Sequence, residues 1–363
     1  MLLRLKHLAK SILAVGWVNK AVSRARHAEA EVFGSNRVLG HVLHALNPLP
    51  FNREQAAVMR GARNYHRNLR RDRRSHVQLR RNIHRLEKGL VMLPRRDVFA
   101  TDYIAETMAG YVRAVAQFER SAASIDRDEL AWAHDVLDAY FRACSPGHRV
   151  IDEARETFSG LPPLFPSGGK APTRRGDRGA STITFDELRE LSLQRRSVRH
   201  FEQRPVPRDL IDRALGIAAQ APTACNRMPY EFRIYDDPDL VRAVAQLPFG
   251  AAGFGHQIPT LAVVVGKLDS YFSARDRHAI YIDASLAAMS FLFALETLEL
   301  SSTIINWPDF EPLEARMQRL LGLDLSERVV MLIAIGYSHP DAMVPYSQKK
   351  QLDSFRSYNK VGE

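Results

Sequence analysis

Cysteine is scarce in this sequence, where Cys144 and Cys225 are the only two among 363 residues. Two cysteines are too few for a disulfide framework or a cysteine-rich zinc site. We therefore expect a reducing compartment, with the cytoplasm as the default location and no bound metal. The Walker phosphate loop, the HExxH zinc motif and the GxSxG nucleophile motif are also absent. Their absence removes the usual sequence signs of nucleotide hydrolysis, metalloproteolysis and serine hydrolysis.

Apolar runs long enough to cross a membrane are lacking at the N-terminus. The longest, residues 12–18, has seven residues, whereas a membrane-spanning helix needs roughly 20. No small-residue cleavage site marks a secretory signal. One helical face does collect apolar residues beside basic ones, and these are Leu5, Leu8, Ile12 and Val15 next to Arg4, Lys6 and Lys10. We expect this helix to dock on its own protein, and the alternative is peripheral contact with the inner membrane surface.

Acidic residues are scarce in residues 60–96, which hold 13 Lys and Arg against 2 acids. The other residues carry 38 basic and 39 acidic side chains, so this basic window accounts for the whole net charge of +10. Tyr65 is the only aromatic residue between its arginines, and we therefore do not expect nucleic acid as a partner. We interpret the window as a solvated basic helix face, or as arginines paired with acids elsewhere. An anionic partner is the alternative.

Glycine and proline are concentrated in residues 160–182, which contain five glycines and four prolines and no sustained apolar period. This composition is typical of a linker. We therefore predict a helical, basic N-terminal region over residues 1–159, a linker over 160–182 and a second domain over 183–363. Because 45% of the chain is hydrophobic, it has enough apolar side chains for two cores.

Within the N-terminal region, the segment HRLEKGL at residues 84–90 predicts a helix that ends near Gly89. Its apolar face would consist of Ile83, Leu86 and Leu90. His84 and Glu87 are spaced so that they could form a catalytic pair on another face. We favour a structural or solvated role, in which Glu87 pairs with a neighbouring arginine.

The region after residue 183 alternates helices and strands, which is typical of an α+β domain. Three strands are predicted, a short one at residues 230–237 and two buried ones at 259–268 and 328–340. The run at 259–268 is continuously apolar and bounded by proline and glycine. Residues 279–300 predict a helix that is long enough to suggest a membrane span. Because Asp283 and Glu296 interrupt its apolar sequence, we expect it to be the central helix of the domain.

Four stretches occur in order in this region: RRSVRHF at 195–201, APTACNRMPYEF at 221–232, LELSSTIINWPD at 298–309 and LIAIGYSHP at 332–340. Together they resemble the FMN-dependent nitroreductase family, from Phe185 to the C-terminus. The resemblance implies an α+β fold with a nitroreductase-like mixed sheet wrapped by helices, preceded here by a mostly helical extension.

By this resemblance, an arginine-rich segment and a C-terminal lysine bind the FMN phosphate. The phosphate would be held by Arg195, Ser197, Arg199 and either Lys349 or Lys350, and Arg196 would lie alongside and back the polar edge of the flavin. Guanidinium groups suit a dianionic phosphate because they offer several charge-assisted hydrogen bonds in one plane.

The resemblance also assigns residues to the flavin ring. Asn226 would place its amide against the pyrimidine edge, and the backbone N–H of Trp307, preceded by Asn306, would be the catalytic donor to flavin N5. Further cofactor-binding positions are Pro222, Thr223, Ala224, Met228, Ser302 and Gly336. The structural alternatives are a turn residue at Asn226, a core anchor at Trp307 and a small buried filler at Cys225.

The chain departs from the family pattern at three places. Residues 228–230 read Met-Pro-Tyr where Gln-Pro-Trp is common, and residues 298–300 read Leu-Glu-Leu where Gly-Leu-Gly or a similar run is common. Trp307 is far bulkier than the usual small residue, so it would narrow the substrate pocket or cover the flavin. These departures concern the substrate more than the cofactor.

The resemblance implies a ping-pong oxidoreductase, in which transiently bound NAD(P)H reduces FMN and an electron-poor molecule then takes the electrons. The acceptor would be a nitro or quinone-like compound or a pathway intermediate. The family also implies a homodimer with the flavin at the interface. One alternative is a non-catalytic flavin-binding module. Another is a specialised flavin dehydrogenase in surface-polysaccharide or natural-product biosynthesis.

Overall fold

The structure is a computed structural model that describes residues 20–21, 24–25, 27–28, 30–32, 37–46, 51–162, 164–165 and 169–362. The predicted amphipathic helix of residues 4–15 lies outside the described residues. The chain forms two compact units, Met1–Ala56 with Asp309–Pro312, and Ala57–Pro308 with Leu313–Glu363. The predicted division at a 160–182 linker stays a prediction.

In the first unit, helix α1 spans Arg37–Leu46, and helix α2, Asn52–Asn68, begins there. Arg53 binds Glu311 through two parallel hydrogen bonds, Nε to Oε2 at 2.6 Å and Nη2 to Oε1 at 2.9 Å. A guanidinium fork on a carboxylate is the strongest common form of ion pair. It therefore ties the two sequence segments of this unit together.

After α2, the helical part of the second unit consists of α3 (Val77–Leu90), α4 (Ile104–Arg120), α5 (Arg127–Ala143) and α6 (Arg149–Ser159). Their apolar faces share one core, and its largest fully buried side chains are Ile83, Leu86, Ile104, Tyr111, Leu130, Leu137, Tyr140 and Ile151. Asp126 starts α5, since its Oδ1 accepts from the backbone N–H groups of Asp128 and Glu129 at 3.0 and 3.1 Å.

Helix α3 confirms the helix predicted from HRLEKGL, with Ile83 and Leu86 buried and Leu90 half-buried. Gly89 lies inside its last turn. A Cβ atom there would be 2.3 Å from the ring of Phe99. The glycine is therefore needed because Phe99 packs directly on the helix backbone.

The second unit also contains a four-stranded sheet in the order β1-β2-β4-β3, and its named strands all pair antiparallel. The strands are β1 (Tyr230–Tyr235), β2 (Thr260–Lys267), β3 (Ser301–Asn306) and β4 (Glu327–Gly336). Tyr230 pairs with Gly266 in the β1–β2 ladder. A parallel contact is added by an isolated bridge between Ser197 and Ser302.

The three predicted strands are confirmed as β1, β2 and β4. The strand β3 was not predicted, because its Ser and Thr residues do not form an apolar run. Its Thr and Ile residues are nevertheless good strand formers. Ser302, Thr303 and Ile305 are buried while Ile304 and Asn306 are exposed, so the strand lies at an edge of the sheet with one side accessible.

Helices surround this sheet and confirm the α+β fold. They are α7 (Phe185–Gln194), α8 (Arg208–Ala218), α9 (Pro238–Ala245), α10 (Ala279–Thr297) and α11 (Glu311–Leu321). Helix α10 packs on the sheet and on α8 through a core that includes Ala284, Ala287, Ala288 and Phe291. The small alanines let the backbones of α8 and α10 approach closely.

One stretch of the described chain, Ala274–Thr297, is long and apolar enough to cross a membrane by length and composition, but half of its apolar window is buried inside the protein. The core helix of a soluble domain meets the same criterion. Its burial agrees with the predicted role of α10 as the central helix of the domain.

Candidate functional site

The arginine-rich segment that follows α7 lies beside the ends of two strands. The backbone N–H of Val198 donates to the carbonyl of Ser302 at 3.1 Å, and that of Glu202 donates to the carbonyl of Tyr337 at 2.9 Å. Val198 and Phe201 are buried and anchor the segment in the core. The start of β3 and the end of β4 therefore fix the backbone that carries the arginines.

Positive charge is concentrated in this segment. Arg195 and Arg196 are half-buried and Arg199 is exposed. Arg199 donates from Nη1 to the carbonyl of Ser197 at 3.4 Å. Within the part of the chain that the structure describes, none of the three guanidinium groups makes an ion pair. The charge of Arg195 does act on the carboxyl of Glu296, where it lowers the pKa against the larger effect of burial. Three neighbouring cations still repel one another, so an anion bound between them would be stabilised.

Ser302 adds a polar atom that lacks a partner. Its Oγ is buried and has no hydrogen-bond partner within the described residues. The residue bridges Ser197 across an isolated parallel contact, so the orphaned hydroxyl lies next to the arginine-rich segment. A buried hydroxyl without a partner carries a desolvation penalty of about 1–3 kcal/mol, and an added acceptor would remove it.

The loop that follows α8 is held in a strained conformation. Cys225, Asn226 and Met228 have φ angles of 56°, 52° and 48°, in the left-handed region that costs an L-residue roughly 1–2 kcal/mol. Thr223 closes the turn, because its carbonyl accepts from the N–H of Asn226 at 3.0 Å and its Oγ1 accepts from the N–H of Met228 at 3.2 Å. Asn226 is therefore a turn residue, as the structural alternative predicted.

The turn leaves the side chain of Asn226 available for binding. Its amide makes no hydrogen bond to any residue that the structure describes, and the residue is half-buried. Backbone strain that is maintained by surrounding contacts is frequent at ligand sites. The turn geometry and the predicted cofactor contact are thus compatible at this residue. Pro222 is exposed at the start of the loop, and Cys225 is a half-buried free thiol.

Asp283 on α10 stabilises this loop by a hydrogen bond to its backbone. Its Oδ2 accepts from the backbone N–H of Ala224 at 2.9 Å and from the hydroxyl of Tyr271 at 3.3 Å. Burial raises the pKa of this carboxyl, against the opposite effects of the two hydrogen bonds and of the charge of Arg227. This role was not predicted from the sequence, in which Asp283 is only a break in an apolar run. An acid inside an otherwise apolar core helix was the signal that could have found it.

Arg80 on α3 holds the same loop from the helical part. Its Nε donates to the backbone carbonyl of Asn226 at 3.0 Å, and its Nη1 donates to Glu129 at 2.9 Å. The guanidinium also lies over the ring of Trp132, 5.5 Å from its centre. The expectation that window arginines pair with acids elsewhere is confirmed for Arg80. The sequence did not single out this arginine among the thirteen basic residues of the window.

The indole of Trp307 belongs to the core. The side chain is 6% exposed, and its Nε1–H donates to the buried carboxylate of Glu314. Glu314 in turn lies 3.4 Å from Nη1 of Arg328. The side chain is therefore a core anchor, as the structural alternative predicted, while the expectation that it narrows the substrate pocket or covers the flavin stays a prediction. Its backbone N–H as a donor to flavin N5 stays a prediction, as does the role of Asn306, which is exposed at the end of β3.

The structure gives no sign of cofactor binding at Gly336 or at the two C-terminal lysines. A Cβ atom on Gly336 would be 2.6 Å from Cγ of Pro259 and 2.8 Å from Cδ1 of Phe201, so packing alone requires the glycine. Lys349 and Lys350 are exposed after β4, and their ammonium groups bind no residue that the structure describes. Their predicted contact with the phosphate stays a prediction.

His84 and Glu87 do form the pair that their spacing predicts. Nδ1 of His84 lies 2.9 Å from Oε2 of Glu87, and Oε1 of Glu87 accepts from Nε1 of Trp132 at 2.9 Å. The expectation that Glu87 pairs with a neighbouring arginine is therefore wrong. Because both carboxylate oxygens are engaged within the helical part, the pair buttresses Trp132, over which Arg80 lies.

Residues 193–337 match the model of the family described as the Nitroreductase family. Iodotyrosine deiodinase 1 of Pongo abelii is 26% identical over 195 residues, which cover 46% of this chain and 66% of that protein. The NADH dehydrogenase of Thermus thermophilus is 25% identical over 188 residues, covering 43% of this chain and 89% of that protein. A solved FMN-dependent nitroreductase from Clostridium difficile is 20% identical, with a TM-score of 0.42, and the match covers 47% of this chain and 98% of that one.

These similarities concern the C-terminal half alone, and the chain spans just under two thirds of the length of the deiodinase relative. The family match confirms the resemblance inferred from the four sequence stretches. It supports a redox role for residues 193–337, in which the arginine-rich segment, the strained loop and the start of β3 are included.

Proposed function

We propose that this protein, whose residues 193–337 form a domain of the nitroreductase family, is an FMN-dependent oxidoreductase that takes electrons from NAD(P)H. The electron acceptor would be an electron-poor small molecule, such as a nitro or quinone-like compound or a pathway intermediate. The observation that carries the proposal is the cluster of Arg195, Arg196 and Arg199, three cations without an ion-pair partner among the described residues.

The residues present fit FMN. The three guanidinium groups and the orphaned hydroxyl of Ser302 supply donors for a dianionic phosphate. The free amide of Asn226 offers both a donor and an acceptor, as the pyrimidine edge of a flavin requires. A neutral ligand would not require so many charged donors. The set of donors therefore favours a ligand that combines a phosphate with a polar ring.

FMN, when bound, supplies hydride transfer between a nicotinamide and an acceptor. The protein itself would bind and orient the cofactor, because the arginines hold the phosphate and Asn226 orients the ring. Asp283 and Arg80 keep the loop that carries Asn226 in its strained conformation through the contacts at 2.9 and 3.0 Å.

We propose a homodimer as the functional form. Helix α10 exposes an apolar stripe at intervals of three and four residues, formed by Ile282, Leu286 and Met289. Exposed apolar stripes of this kind commonly mark protein–protein interfaces. A second copy of the chain would bury the stripe, in agreement with the paired subunits that the family resemblance implies. We keep the cytoplasm as the proposed location, since both cysteines are free thiols.

The visible absorption spectrum of the purified full-length protein tests cofactor binding directly. We expect the two bands of an oxidised flavin, either as isolated or after incubation with excess FMN and removal of the free cofactor. A protein that stays colourless after this treatment would overturn the proposal.

Steady-state oxidation of NADH and NADPH, with menadione or a nitroarene as acceptor, tests the catalytic part. We expect acceptor-dependent oxidation by the flavin-loaded protein. A yellow protein that NAD(P)H does not bleach would instead support the alternative of a non-catalytic flavin-binding module.

A further inference from the structure

A basic cavity lies on the far side of the strained loop, within the second unit. It measures about 270 Å³ and is bounded by the end of α2, the turn into α3 and α4 on one side, and by residues 227–230 and 267–270 on the other. Its charged lining consists of Arg73, Arg74, Arg113, Arg227, Lys267 and Asp269. The residues predicted to bind FMN do not line it, except for Met228. It is therefore separate from the arginine-rich segment at 195–199.

Positive charge in this cavity exceeds what the local carboxylates neutralise. Lys267 binds Glu231 at 2.6 Å, and Arg73 lies 4.0 Å from Asp269. Burial raises the pKa of Asp269, while the charges of Arg73 and Lys267 act in the opposite direction. Arg74 and Arg113 have no carboxylate partner within the described residues. At least two exposed guanidinium groups therefore face the cavity without a counter-charge.

Arg227 is the buried donor of this cavity. The residue is 5% exposed, its Nη1 donates to the carbonyl of Ser270 at 3.1 Å, and its guanidinium lies 4.6 Å from the ring centre of Tyr271. Its Nε has no hydrogen-bond partner within the described residues, although it is buried. The charge of Asp283 is close enough to interact with Arg227, but the two form no ion pair. A buried cation with an unpaired donor is unfavourable unless a ligand completes its shell.

We propose that this cavity binds the phosphate group of a small molecule, at a site distinct from the one proposed for FMN. Arg74, Arg113 and Arg227 would supply the donors, with Nε of Arg227 as the buried anchor. A phosphate monoester suits the cavity better than a single carboxylate, because its two negative charges match several unpaired guanidinium groups. The volume has room for the phosphate and a sugar-sized group attached to it. The ligand would touch Arg227 and Met228, which directly follow Asn226, so it would brace the loop from behind.

Titration calorimetry on the full-length protein, loaded with FMN and then freed of excess cofactor, tests this proposal, because no free phosphate monoester then competes for the cavity. The probes are inorganic phosphate, glucose 1-phosphate and uncharged glucose. We expect one-to-one binding of glucose 1-phosphate and no binding of glucose. Inorganic phosphate that binds as tightly as the ester would support a site for the free ion, and weaker binding would support a site for the ester. Absence of heat with both phosphate probes would overturn the proposal.

Variants of the exposed arginines of the cavity distinguish a specific binding site from a generally basic surface. We expect Arg113→Gln and Arg74→Gln each to lower the affinity for glucose 1-phosphate about tenfold or more, since each removes a charge-assisted hydrogen bond. Both residues are exposed, so neither change should impair folding. Arg71→Gln is the matched control, because Arg71 is exposed in the same segment and does not line the cavity.

An equal loss of affinity in the Arg71→Gln control would overturn the proposal, because it would show a diffuse electrostatic effect. Displacement of glucose 1-phosphate by a short single-stranded oligonucleotide, with the same sensitivity to Arg113→Gln, would also overturn it. That outcome would assign the surface to nucleic acid instead.

Discussion

Nε of Arg80 donates to the backbone carbonyl of Asn226 at 3.0 Å, although the two residues are 146 positions apart. The contact joins the helical part of the second unit to the loop proposed to orient the flavin. The same guanidinium neutralises Glu129, whose side chain is only 3% exposed. The helical part is therefore a structural support of the candidate site.

Replacing this arginine should affect both stability and flavin binding. Arg80→Ala leaves the buried Glu129 without its ion-pair partner, with only the hydrogen bonds from the Ser75 hydroxyl and the His76 N–H. Loss of one member of a buried ion pair costs about 3–5 kcal/mol. We expect a loss of stability in this range by urea unfolding, together with weaker FMN binding. Arg142→Ala is the control: Arg142 is exposed and forms a helical pair with Asp138, and it should cost less than about 1 kcal/mol. Equal losses in the two variants would contradict the special role of Arg80.

The arginine-rich segment should distinguish FMN from riboflavin, which lacks the phosphate. We expect Arg195→Gln and Arg199→Gln each to lower the affinity for FMN about tenfold or more, because each removes a charge-assisted hydrogen bond. Riboflavin affinity should remain unchanged, as measured by quenching of flavin fluorescence. Arg242→Gln, an exposed arginine on α9 paired with Asp239, serves as the charge-matched control. An equal loss of affinity for riboflavin would show that the arginines do not bind the phosphate.

Asp283 should make the stability of the protein decrease as pH rises. Burial raises its pKa in the folded state, so between the ordinary aspartate pKa and the raised value the folded protein binds more protons than the unfolded chain. Its contribution is therefore most favourable at low pH and is lost as pH increases through that window. We expect the stability of Asp283→Asn relative to the wild type to improve as pH rises from acidic to neutral, measured by urea unfolding.

Asp236 provides the control of opposite sign. A hydrogen bond from Arg208 and its charge lower the pKa of Asp236 in the folded state, so its contribution is present above the ordinary pKa and is lost as pH falls. The Asp236→Asn variant should lose relative stability as pH rises. If the two variants show the same pH trend, the assignment of a buried, protonation-favouring site to Asp283 is wrong.

The apolar stripe on α10 should control the oligomeric state. Leu286 is 45% exposed on this stripe, and we expect Leu286→Glu to convert a dimer into a monomer, since burying a charge in an apolar interface is unfavourable. Leu240→Glu is the matched control, because Leu240 on α9 is 43% exposed and lies outside the stripe. Sedimentation velocity measures both. An unchanged sedimentation coefficient for Leu286→Glu would remove the stripe as the interface.

Local sequence patterns were sufficient for much of the fold. Strands β2 and β4 and helix α10 were predicted because continuous apolar runs and turn residues are signals within a short stretch of chain. The resemblance of residues 193–337 to the nitroreductase family was also evident from the sequence, because the motifs that carry it are local and occur in order. The strand β3 was missed because its Ser and Thr residues do not form an apolar run.

The sequence by itself determined the class of the domain and the clustering of Arg195, Arg196 and Arg199, since neighbours in sequence stay neighbours in space. Only the tertiary structure decided which distant residues support the loop, namely Arg80 and Asp283. It also decided that the indole of Trp307 is buried against Glu314 and that arginines from separate segments surround one cavity. The physical reason is that such contacts depend on how helices pack against the sheet, and no short stretch of sequence encodes that packing.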